Sequence, residues 1–219
     1  MNIGILGGTG PAGSGLAARF AAGGHQVLVG SRTTEKAERT IGELRSLWGS
    51  RVANLTPVTN KEAASEGDVV VLGVKWDGAI ATAAEFASDL AGKTVISMGS
   101  GLHKVGPSFE PVIPEQGSLA HGVQEAAPES SVVTAFQHIP AAALLAMDED
   151  LDEDVIVCSD HDDAAELVAS LVNGIPRLRA LRAGSLANAL GVEAFTAILL
   201  AINIRYRGKA AIRLSGIPQ

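Results

Sequence analysis

Cysteine is almost missing: Cys158 stands alone in 219 residues, so no intrachain disulfide can form, and the usage fits a reducing, cytoplasmic compartment better than secretion. Positive charge is also in short supply. Against 24 Asp and Glu stand 17 Lys and Arg, a formal net charge of −7, which argues against a broad nucleic-acid face and requires any bound phosphate to be held locally. Long hydrophobic runs are lacking too. The most apolar stretch, residues 192–204, is too short to span a bilayer and includes Glu193 and Asn203, so it reads as a buried helix and not as a membrane anchor. The apolar residues 1–8 lack a basic leader and run into a glycine loop, which reads as a first strand and not a signal peptide. There is no P-loop and no Ser/His/Asp spacing. Asp160-His161-Asp162-Asp163 is read as a helix start rather than a metal site, because acids cap N–H groups and suit the dipole there.

What is present is an apolar content of 47% with 19% charge, enough to build a core and too little charge for disorder. Short apolar runs at residues 2–6, 26–29, 55–58, 68–72 and 94–97 alternate with helical spacing at 12–22, 34–47, 61–66 and 77–90. That alternation predicts an α/β fold, a Rossmann-type doubly wound parallel sheet over residues 1–97. Residues 98–116 hold Gly and Pro without periodicity and are read as a long loop. A helix near 118–126, strands at 132–136 and 155–158, a helix at 162–171, a strand at 177–181 and a long apolar helix at 187–204 follow. Residues 98–219 are therefore expected to form a smaller α/β extension packed on the first part as one unit.

Gly8, Gly10 and Gly13 form G-x-G-x-x-G directly after the first strand and at the start of a helix, the setting in which this spacing grips a dinucleotide. The first glycine permits the turn, the second lets backbone approach the pyrophosphate, and the third brings helix and strand together. Thr9 can donate a hydroxyl, and Pro11 and Ala12 open the helix whose N-terminus favours an anion. The second strand ends Val29-Gly30-Ser31-Arg32, without the acid that would hold a ribose 2′-hydroxyl. Arg32, Ser31 and Lys36 instead suit a 2′-phosphate, so the expected cofactor is NADP(H) and not NAD(H).

Gly7-Gly8-Thr9-Gly10-Pro11-Ala12-Gly13, with Gly30-Ser31-Arg32 and Lys36, resembles the NADPH-dependent reductases of the deazaflavin coenzyme F-420. Val74-Lys75-Trp76-Asp77 is similar to that family's loop after the fourth strand, and Gln137-His138-Ile139-Pro140-Ala141-Ala142 to its interior loop. Residues 184–196, with Asn188 and Glu193, are similar to its C-terminal helix, so the likeness covers nearly the whole chain. It implies coenzyme F-420 as co-substrate. By the same resemblance Val74, Trp76, Ile80 and Met98 belong to the cofactor pocket, with Trp76 and Ile80 on the nicotinamide half and Ala141 near the carboxamide. Gln137, His138, Ile139 and Pro140 would meet the deazaflavin. Two segments depart from the pattern: Gln137 stands where archaeal members carry a histidine, and Met98-Gly99-Ser100-Gly101-Leu102 differs from a proline-containing segment.

Hydride transfer asks little of side chains beyond holding two carbons together and keeping water out. His138 is the candidate to approach the acceptor, either bonding a ring carbonyl or stabilising developing charge; the competing reading is a loop histidine satisfied by backbone. Two other functions fit the same nucleotide half: reduction of a small imine, ketone or flavin by NADPH, and NADP(H) sensing without turnover. The helix at 187–204 has too little polar surface to face water, which leads to the expectation of a homodimer through it.

Overall fold

The computed structural model describes residues 1–217. The first half alternates as expected. Its strands are β1 (Asn2–Leu6), β2 (Gln26–Ser31), β3 (Leu55–Thr59), β4 (Val69–Leu72) and β5 (Thr94–Ser97). Its helices are α1 (Pro11–Ala22), α2 (Thr34–Trp48), α3 (Asn60–Glu66), α4 (Trp76–Glu85) and α5 (Ala87–Leu90). The single helix expected over 77–90 is two, broken where Phe86 leaves helical geometry (φ −106°, ψ 17°).

Then come the strands β6 (Leu102–Val105) and β7 (Ser108–Pro111), the helix α6 (Leu119–Ala126), the strand β8 (Ser131–Thr134) and the helix α7 (Ala141–Leu145). Next are β9 (Glu153–Ser159), α8 (Asp162–Asn173), β10 (Leu178–Arg182) and α9 (Ala189–Tyr206). The region read as a structureless loop therefore contains an antiparallel hairpin, β6 with β7, which packs against α9.

One eight-stranded sheet runs β10-β9-β8-β5-β4-β1-β2-β3. Its strands are apolar on both faces because helices cover both, and the period-two alternation sorts the side chains. Ile3, Ile5, Val27, Val29, Val69 and Val71 join Leu16, Ala17 and Phe20 of α1 in one buried layer. Leu6, Leu28, Val70 and Leu72 point the other way, onto Ala79 and Ala83 of α4. Each fully buried Leu, Ile or Phe contributes about 1.5–3 kcal/mol, so these two layers carry the stability of the sheet.

The sheet is mostly, not wholly, parallel. β9 lies antiparallel to β8, through the pairs Val133↔Ser159 and Thr134↔Cys158, and β10 follows β9 in parallel. Between β8 and β9 the chain makes only a loop and the short α7, with no crossover long enough to return it to the other edge. The long helix also differs from expectation. With the preceding turn it spans Leu186–Tyr206, 21 residues of mean hydropathy 1.6, long and apolar enough by those measures to cross a membrane. Buried Glu193 and Thr196 bond to the rest of the fold, which ties this helix to the domain.

Candidate functional site

Every parallel strand from β1 to β5 ends on the same edge, and β1 lies between β4 and β2, where the chain's direction of travel across the sheet reverses. Ligands of open α/β sheets sit at such a point. The turn after β1 is held by its own backbone: Gly8 N–H donates to Ile5 O at 3.1 Å and Gly30 O at 2.9 Å, and Gly10 N–H to Gly7 O at 3.0 Å. Gly7 adopts φ +72°, which favours glycine. Its N–H donates to Asn60 Oδ1 at 3.0 Å, so the first turn of α3 pins the loop from the side.

A Cβ on Gly13 would lie 2.9 Å from Gly7 O and 3.0 Å from Gly8 Cα, so packing alone demands that glycine. Gly10 is different. A Cβ there would meet nothing nearer than 3.5 Å, and its φ is −77°, so neither packing nor backbone requires glycine; the open space belongs to the cleft. Pro11 opens α1, no side chain caps the helix and no acid lies in its first turn, which leaves its positive end available to a phosphate.

The cleft has a volume of about 870 Å³. Thr9, Gly10, Ser31, Arg32, Lys36 and Val74 line it; Gly8 and Gly13 are buried behind the loop. Asn60, Lys61, Lys75, Thr82, Glu85 and Phe86 line it as well. Lys75 was visible within the Val74-Lys75-Trp76-Asp77 segment, but Asn60 and Lys61 carry no motif; their only sequence signal is a place just beyond a strand end. Arg32, Lys36, Lys61 and Lys75 form no ion pair among the described residues, and Glu85 is the lone acid in the lining. A chain of net charge −7 thus gathers four unneutralised cations around one cleft.

Trp76 and Ile80 are not among the residues that line this cleft. Trp76 and Ile80 pack onto the second buried layer, with Ile80 Cδ1 only 2.4 Å from where Gly122 of α6 would place a Cβ. Their apolar surface is used in holding α4 to α6. Met98, 8% exposed, lies in the first layer at the end of β5.

Beyond β8 the backbone is strained, since Phe136 holds φ 67° while its ring stacks edge-on against Phe20 at 6.0 Å. Gln137 Nε2 donates to Thr134 Oγ1 at 2.7 Å, and its Oε1 is buried without a partner. His138 is 3% exposed, and its Nε2–H donates to the Asp154 carbonyl at 2.8 Å. Burial lowers its pKa against the opposing effect of that bond, so the ring is neutral and Nδ1 is a buried acceptor with no partner. The ring is turned inward, with Nε2 held by backbone and Nδ1 left without a partner among the described residues. Ile139 is buried, and Pro140 and Ala141 are half-buried.

Polar side chains tie this loop to its neighbours. Ser100 Oγ donates to Thr196 Oγ1 at 3.1 Å, and Thr196 Oγ1 donates to Gln137 O at 3.5 Å, linking the ends of β5 and β8 to α9. Glu193, 2% exposed, accepts from the Leu119 and Ala120 N–H groups at 2.8 and 3.0 Å and so caps α6 from α9. Burial raises its pKa, and those two bonds act against the rise. From α1, buried Arg19 donates to the carbonyls of Ala143, Leu144 and Ala146 at 2.7–2.9 Å, fixing α7 to the nucleotide helix.

Residues 2–101 match the model of the family described as "NADP oxidoreductase coenzyme F420-dependent". A protein of Methanocaldococcus jannaschii named "F420-dependent NADP reductase" is 36% identical over 99% of this chain and 99% of its own. The chain belongs to the F-420-dependent NADP oxidoreductase family. A reductase of the same name from Methanothermobacter thermautotrophicus is 35% identical over all of this chain and 97% of its own. A crystal structure from Arthrobacter sp. FB24, 22% identical, shares the fold with a TM-score of 0.82 over 98% of this chain and 100% of that one. Membership in the F-420-dependent family therefore rests on full-length relatives, while the family model itself covers the half that builds the cleft.

Proposed function

We propose that this chain catalyses reversible hydride transfer between NADP(H) and coenzyme F-420, with residues 1–97 holding the nucleotide and 98–219 shaping the acceptor pocket. The observation that carries the nucleotide half is the set of unpaired cations in a cleft beside a glycine turn with room to spare at Gly10. Thr9, Gly10, Pro11 and Ala12 take the pyrophosphate at the start of α1, and Ser31, Arg32 and Lys36 take the 2′-phosphate. NADP(H) supplies or receives the hydride when bound. The chain's own residues orient and enclose: Val74 lines the cleft, and the segment from Gln137 to Ala141, braced by Thr196 and continued by α7, which Arg19 holds, walls the acceptor side. Stopped-flow mixing with NADPH and F-420, read at both chromophores, tests the proposal. Coupled loss of both signals is expected. NADPH oxidation by an imine, ketone or flavin but not by F-420 would move the acceptor, and NADPH binding without oxidation would make the chain a sensor.

We also propose a cytoplasmic homodimer. α9 leaves Phe195 (38% exposed), Ile198 (52%) and Ile204 (49%) to solvent, beside an apolar groove of about 440 Å³ against Phe109 and Pro111 of the hairpin. A twofold contact would cover this surface. Light scattering is expected to give a dimer for the unmodified chain and a monomer for Ile198→Asp; a monomeric unmodified chain at tens of micromolar would overturn the assembly.

A further inference from the structure

Lys61 lies in the first turn of α3, where the helix dipole opposes a cation. Its neighbour Glu62 does not neutralise it. Glu62 Oε2 accepts from Thr59 N–H at 2.7 Å and Thr59 Oγ1 at 2.8 Å, closing a capping box that commits the carboxylate to the backbone. Lys36 repeats the arrangement in the first turn of α2, again without an ion pair among the described residues. Two exposed lysines set against helix dipoles, without an ion pair among the described residues, on one cleft, gain from an anion bound there.

The register sets the residues around that part of the cleft. β2 and β3 run parallel with Ser31 opposite Thr59, so Arg32 and Asn60 leave the sheet side by side, about 4.8 Å apart in strand spacing, and Lys61 follows directly. Arg32 and Lys61, just beyond the ends of two neighbouring strands, thus line the same cleft as Lys36 in the first turn of α2. Ser31, at the end of β2, adds a hydroxyl and lines the same wall.

We propose that Lys61 is a third cation of the 2′-phosphate subsite, a specificity-determining residue that completes the pair Arg32 and Lys36. This rests on the NADP(H) assignment of the cleft. Adenosine 2′,5′-bisphosphate and adenosine 5′-monophosphate are the probes, titrated calorimetrically into the unmodified chain, Lys61→Gln and Lys61→Arg. Lys61→Gln is expected to weaken the bisphosphate roughly five- to tenfold at low salt and less at high salt, with the monophosphate changed by less than about twofold. Lys61→Arg keeps the charge and the affinity. Unchanged bisphosphate affinity in Lys61→Gln would overturn the assignment, as would equal weakening of both probes, which would place Lys61 on the adenine or the 5′-phosphate. An unmodified chain that fails to prefer the bisphosphate overturns the NADP(H) assignment itself, a result distinct from either.

Discussion

At the ends of β1 to β4, Arg32, Lys36, Lys61 and Lys75 line an open cleft and have no carboxylate partner among the described residues. Under the last strands the reverse holds. Asp154, with its side chain fully buried, accepts from Arg179 at 2.8 Å through both oxygens, from Arg213 at 3.1 Å and from the Leu214 N–H at 2.6 Å. The Arg179 bond leads the effects that hold its pKa below the usual carboxylate range. One region leaves its charges open to a ligand; the other closes them on itself and uses them to bind the segment after α9 to β9. Substitutions should therefore separate binding from stability along that line.

The largest effect belongs to the cleft. Gly10→Val fills the space that the chain leaves empty, so NADPH affinity should drop by at least about a thousandfold, ~4 kcal/mol, with the circular dichroism unchanged. Retained affinity in a folded variant would reduce the loop to a turn. Next comes Asp154→Ala, which strands two arginines: about 3 kcal/mol of stability should be lost in urea titrations while NADPH affinity stays within about twofold. Comparable losses in both measurements would erase the division between the halves.

Glu153 sharpens the comparison in the opposite sense. It is 7% exposed, its Oε2 has no partner, and burial raises its pKa to about 7 despite the charge of Arg19. The folded chain keeps this proton to about pH 7, whereas the unfolded chain releases it near the ordinary glutamate value of 4.5. Between those values the native state binds more protons, so stability falls as pH rises across the window and levels above it. The decline should be roughly 2–3 kcal/mol between about pH 5 and about pH 8, at about 1.4 kcal/mol per unit. Urea titrations of Glu153→Gln should lose this part of the pH dependence; identical profiles would assign the slope to other groups.

The same two regions differ in how far they can be read from sequence. β1 to β5, the glycine turn and the Ser31, Arg32 and Lys36 set follow from apolar runs and from residues at fixed offsets, because local chemistry decides them. The reversal at β9 follows from what the chain does between Ala135 and Asp152, which has no periodicity to show a missing crossover. The hairpin β6–β7 has four-residue, largely exposed strands and so lacks the alternation that marks a half-buried one. His138 Nε2 donates to a backbone carbonyl 16 residues away, and carbonyls look alike in every sequence. The packing of Trp76 and Ile80 on the second buried layer, with Ile80 against Gly122 of α6, is a long-range contact that a local motif does not show.

The most direct measurement is the ratio of dissociation constants for NADPH and NADH, taken on the unmodified chain and on Arg32→Ala at one ionic strength. A preference for NADPH of at least about tenfold, most of it abolished in Arg32→Ala with NADH binding unchanged, is the outcome that the unpaired cations of the cleft require. Equal affinity of the unmodified chain for the two nucleotides would contradict it.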